Sequence, residues 1–63
     1  MWQLTPEDKD NILNFTEQSQ FTNMISKLEM AIFVEQSKGE NVSLLIAGML
    51  YTISAQIRFS ARN

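Results

Sequence analysis

The chain is expected to be all-α: a short N-terminal helix followed by an antiparallel two-helix hairpin that assembles into an oligomeric helical bundle. Three observations predict this. Apolar residues recur at three- and four-residue spacings from Phe21 onward, the period of a helix face. Helix start and stop signals divide the chain at two places. The stretch "NVSLLIAGMLYTISAQI", residues 41–57, holds no charged residue, although charged residues make up 19% of the 63-residue chain.

The first helix is expected over 6–17. In "LTPED", Thr5 suits the N-cap and Pro6 the first helical position, where no N–H is needed. Glu7, Asp8 and Asp10 sit where the helix dipole favours negative charge. The polar stretch "TEQSQFTN" that follows has neither Gly nor Pro, yet its polarity and two threonines suggest a break before a second helix over 20–37. One long bent helix running to Ser37 is the alternative. In "EQSKGEN", Gly39 is able to take the left-handed conformation that ends a helix, and Asn41 suits the N-cap of a third helix over 42–61. A turn this short makes its two helices antiparallel neighbours.

On the second helix Phe21, Met24, Ile25, Leu28, Ala31 and Ile32 share one face; on the third, Val42, Leu45, Ile46, Met49, Leu50, Ile53 and Ile57 form a stripe expected to meet it. Both helices carry a second apolar face. Met30, Phe33 and Val34 lie opposite Leu28, while Leu44, Gly48, Tyr51, Ala55 and Phe59 run down the back of the third helix beside a polar seam of Ser43, Ser54 and Arg58. A helix apolar nearly all round must be surrounded. The first segment, with Trp2, Leu4, Ile12, Leu13 and Phe15, covers part of one such face, and another copy of the chain is expected to cover the rest. Met30, Phe33, Val34, Tyr51 and Phe59 are therefore the candidate partner-binding residues. Trp2 is expected to cap the bundle end, and Tyr51 to pack between helices with its hydroxyl at an edge. Met24, Met30 and Met49 are adaptable fillers that also suit a surface accepting a partner helix.

Size supports the same expectation. A single domain of 63 residues buries only about 60% of the surface its unfolded chain exposes and needs some further device for stability. With no Cys and no His, a disulfide framework is excluded and zinc, haem and iron–sulfur sites are disfavoured, so no cofactor is expected. Self-association remains. Small secreted domains of this length are usually disulfide-rich, so a cytoplasmic setting is expected. The acids and proline of "MWQLTPEDKD" are unlike a cleaved targeting segment.

Net charge is −2, with all seven acids among the first 40 residues and only Arg58 and Arg62 charged after them. Five dispersed basic residues make a poor footprint for duplex DNA. Chemistry without His or Cys rests on carboxylates, lysines, Tyr51 and hydroxyls, and no two acids are spaced to meet in an apolar site; Glu29 and Glu35 read as solvated positions. No glycine-rich phosphate loop is present. An enzyme is not expected.

In "IRFSARN", Arg58 and Arg62 share one side of a helix, where they complement the dipole of its last turn or act as two forks for a carboxylate or phosphate. The sequence thus favours a small non-enzymatic adaptor, chaperone or inhibitor acting as a homo-oligomer through apolar helix faces, with itself and another protein as partners. One alternative is an oligomeric binder of RNA or a small anionic ligand through repeated Arg58/Arg62 pairs. A second is a single-pass membrane peptide spanning about 41–57, disfavoured because 17 helical residues reach about 26 Å against a hydrocarbon core of about 30 Å.

Overall fold

A computed structural model describes residues 4–62 and forms three helices among them, with no strand: α1 (Pro6–Leu13), α2 (Gln18–Ser37) and α3 (Ser43–Arg62). Trp2, expected at the bundle end, lies outside the described residues.

α1 starts at the residue its sequence signals. Thr5 Oγ1 accepts from the Asp8 N–H and Asp8 Oδ2 accepts from the Thr5 N–H, both at 3.1 Å, so the two satisfy each other's backbone donors in a capping box. The helix stops at Leu13 rather than at residue 17. Asn14 closes it: its N–H bonds the Asn11 carbonyl and its side-chain amide donates to the Asp10 carbonyl, each at 3.0 Å, taking up acceptors a longer helix would have used. The break is completed from the other side by Gln20, whose Oε1 accepts from the N–H groups of Thr16 at 2.8 Å and Glu17 at 3.1 Å. A side-chain amide in the first turn of α2 thus does what no Gly or Pro is present to do.

α2 ends as Gly39 implies. Gly39 has φ +79°, its N–H bonds the Gln36 carbonyl at 3.0 Å and the Glu40 N–H bonds the Glu35 carbonyl at 3.0 Å, the paired bonds of a Schellman motif. Asn41 Oδ1 then accepts from the Ser43 N–H at 2.9 Å and supports the first turn of α3.

α2 packs along α3, and α1 lies against α3. The Gln18 side chain at the start of α2 bonds Gln56 and Ser60 near the end of α3, so these two ends are neighbours. The core is built from Ile12, Phe21, Leu28, Leu45 and Ala55, with Thr52 fully buried among them. Phe21 is its centre of aromatic packing: the Phe15 ring meets it edge-on at 5.0 Å and the Phe59 ring at 5.3 Å, tilted by 45°. Such pairs contribute about 0.5–1.5 kcal/mol beyond the area they bury.

The inward face of α3 differs from the expected stripe. Leu45 is buried and Val42, Met49 and Ile53 are half-buried, but Ile46, Leu50 and Ile57 are exposed; the buried residues are Leu45, Gly48, Thr52 and Ala55, with Phe59 half-buried below them. Small residues make this possible. A Cβ on Gly48 would meet Leu4 Cβ and Cδ2 at 3.2 Å and Leu28 Cδ2 at 3.7 Å, so the missing side chain is the space into which α1's leader and α2 insert theirs. Thr52 joins this face without an unpaired hydroxyl, because Oγ1 donates to the Gly48 carbonyl at 2.8 Å.

Glu35 is a second departure. Expected on a solvated face, it is only 9% exposed, whereas Glu29 is exposed as expected. Phe21, Leu28 and Glu35 are seven residues apart and fall on one line along α2, the buried line of that helix. The Glu35 carboxylate stays at the edge, with Oε2 3.6 Å from the Lys38 Nζ.

Candidate functional site

The five candidate partner-binding residues stand in two different settings in the fold. Met30 is 62% exposed, Phe33 68% and Val34 42%; at about 100° per residue they lie opposite Leu28, on the outer side of α2. Tyr51 and Phe59 are not part of that surface. Both are half-buried and pack against the Ile12–Phe21–Ala55 cluster, because the small-residue face of α3 turns inward and carries its two aromatic neighbours with it. Tyr51 does lie between helices, with the Lys9 Nζ 5.9 Å from its ring centre. Leu4, Lys9, Leu44, Ala47, Gly48 and Tyr51 line a pocket of about 140 Å³, well below the size that encloses a drug-sized ligand.

A second apolar surface was missed by sequence reasoning, which placed its residues in the core. Ile46 is 45% exposed, Leu50 60% and Ile57 64%, and the half-buried Ile53 joins them in a stripe spaced four, three and four residues apart. This stripe lies on the side of α3 away from Leu4 and α1: at about 100° per residue its mean direction is opposite that of Gly48, Tyr51 and Ala55. The signal was available as a heptad-type repeat, which marks a seam between helices without saying which helix fills it.

α2 contributes to the same side. Gln18, Ile25 and Ile32 are seven apart along α2, as are Ser60, Ile53 and Ile46 along α3, and the hydrogen bond between Gln18 Nε2 and Ser60 Oγ ties the two lines together at one end. Ile25 and Ile32 are half-buried. The result is a two-helix face, apolar along its centre, with Ser54, Glu29 and Gln36 exposed at its margins.

Arg58 and Arg62 are both exposed and border the same notch, about 20 Å³, lined also by Leu13, Phe15 and Phe59. That volume admits about one water. Arg62 stands in the last turn of α3, where its charge complements the helix dipole. Among the described residues no group of three acids is placed to hold a metal ion.

α3 is also long and apolar enough to cross a membrane: 20 residues, mean hydropathy 1.3 over its best 18-residue window, 22% of that window buried in the fold. A core helix of a soluble protein passes the same test. Comparison with protein families, curated proteins and solved structures finds no match to this chain.

Proposed function

We propose that this chain is a small non-enzymatic interaction protein, an adaptor, chaperone or inhibitor of the cytoplasm, whose second and third helices form an antiparallel hairpin that associates with further copies and with another protein through apolar helix faces. One observation carries this reading. Two separate surfaces, Met30/Phe33/Val34 on α2 and Ile46/Leu50/Ile57 on α3, leave bulky apolar side chains 42–68% exposed. Apolar surface gathered into patches, rather than scattered singly, marks an interaction site. Helix faces of this kind are used either to build bundles or to bind an amphipathic partner helix.

Light scattering at micromolar concentration tests it. The expected mass is at least twice the 7.2 kDa of one chain, in the supernatant of a detergent-free lysate after high-speed centrifugation. A stable monodisperse monomer refutes self-association.

The length of α3 supports a second reading as a single membrane span, since 20 residues rise about 30 Å, close to the hydrocarbon thickness. Its uncharged part within the helix, residues 43–57, spans only about 22 Å, and the two arginines beyond it would lie at one membrane surface. Recovery only in carbonate-resistant membranes decides for this reading. The Arg58/Arg62 pair beside the Phe15 and Phe59 rings supports the remaining alternative, binding of RNA or a small anion by the oligomer. Such binding weakens steeply with salt, whereas binding by the apolar faces does not.

A further inference from the structure

We infer that the α3 stripe Ile46–Leu50–Ile53–Ile57 is the face through which two copies of this chain pair, with the two α3 helices antiparallel across a twofold axis between Leu50 and Ile53. The inference rests on the reading of the chain as a self-associating protein and names the surface and its geometry. Three observations carry it.

The first is symmetry of spacing. The intervals of four, three and four read the same in both directions, so an inverted copy of α3 sets Ile46 against Ile57 of its mate and Leu50 against Ile53, with every member matched. A twofold contact requires a patch that complements itself. The Met30/Phe33/Val34 patch, at intervals of three and one, has no such property.

Charge is the second. No acid or base occurs on α3 between its start and Arg58, so inverting one α3 stripe on the other brings no like charges together along it and requires no oppositely charged partner. A membrane surface is a poorer occupant. The face carries Glu29 at its margin and no Lys or Arg along the stripe, and the chain is net negative, the reverse of what an anionic bilayer attracts.

Area is the third. The molecule measures 40 × 18 × 14 Å, so a face that runs its length across both α2 and α3 outlines up to about 700 Å², of the same order as the ~800 Å² buried per partner in a standard interface. Ile25 and Ile32 of α2, half-buried on the same side, widen the contact from a single helix seam to a two-helix layer. Two such layers make a four-helix bundle, in which each α1 stays outside and Met30, Phe33 and Val34 remain open on the outer side of α2.

Because the chain has no cysteine, single introduced thiols report the geometry directly. Leu50→Cys is expected to be joined to its mate by a short bis-maleimide, giving a covalent dimer, while Phe33→Cys under the same conditions gives none. Leu50→Glu is expected to halve the mass seen by light scattering relative to the wild-type chain. If Leu50→Glu also unfolds, the cysteine pair alone decides, since Leu50→Cys keeps an uncharged side chain. A wild-type dimer that is cross-linked through position 33 and not through 50 overturns this surface and leaves self-association standing. A monomeric wild-type chain, or one found only in membranes, overturns both.

Discussion

Leu4 occupies the space above Gly48: a Cβ built there would stand 3.2 Å from both Leu4 Cβ and Leu4 Cδ2. The contact joins the segment before α1 to the first half of α3, and it depends on the absence of a side chain rather than on one. Gly48→Leu is expected to push Leu4 outward and to loosen α1, costing about 1–3 kcal/mol despite the better helix propensity of leucine. A thermal melt followed by circular dichroism measures this; an unchanged or raised midpoint would show that Leu4 moves aside freely.

The two exposed-looking phenylalanines of the sequence are expected to behave differently under one substitution. Phe59 meets the Phe21 ring at 5.3 Å in the core, whereas Phe33 is 68% exposed. Phe59→Ala removes a packed ring and should cost about 2–4 kcal/mol, while Phe33→Ala should change stability by less than about 0.5 kcal/mol. Chemical denaturation of both variants checks the pair. Equal losses would mean that the outer side of α2 is covered by something in the folded chain.

These residues also show what was legible in the sequence. The helix ends at Thr5, Pro6 and Gly39 followed from the local chemistry of capping, which involves a few adjacent residues and needs no knowledge of the fold. The α2 core stripe followed too, because Phe21 and Leu28 are large, apolar and periodic. The inward face of α3 did not. Assigning burial by bulk favours Ile46, Leu50 and Ile57, but a helix approaches its neighbours most closely through small residues, and Gly48, Thr52 and Ala55 admit side chains from Leu4 and Leu28 that no property of α3 alone announces. Rotating α3 in this way carried Tyr51 and Phe59 from the expected binding surface into the core. The early end of α1 was hidden for a related reason: Asn14 and Gln20 act by hydrogen bonds whose geometry composition does not reveal.

Glu35 offers a gain in stability. Its residue is 9% exposed, on the line of Phe21 and Leu28, while its carboxylate reaches the edge and pairs with a Lys38 side chain that is 62% exposed, so the attraction is screened and contributes little. Glu35→Leu replaces it with an apolar side chain that extends the line and is expected to leave stability equal or raise it by about 1–2 kcal/mol. A loss of more than about 1 kcal/mol in urea unfolding would show that the carboxylate makes a stronger interaction at the start of α3 than its distance to Lys38 suggests.

Leu28 and Ile53 sit near the middles of α2 and α3, and sequence spacing alone treats them as equivalent centres of two facing stripes. In the fold they differ. Leu28 is fully buried within one chain, 3.7 Å from the position of a Cβ on Gly48, whereas Ile53 is half-buried and shares the outer stripe with Ile46, Leu50 and Ile57. Leu28→Ala should therefore cost about 2–5 kcal/mol at any protein concentration, because the lost contacts are internal to the chain. Under the pairing inferred above, Ile53→Ala should cost less when the chain is dilute, and its cost should rise with protein concentration, since the contacts it would lose are those between copies and assembly stabilises the folded state by mass action. Thermal midpoints of both variants and the wild type across a hundredfold concentration series separate the two effects. A concentration-independent Ile53→Ala loss as large as that of Leu28→Ala would place Ile53 in the core of the single chain and remove the outer stripe from consideration as an interface.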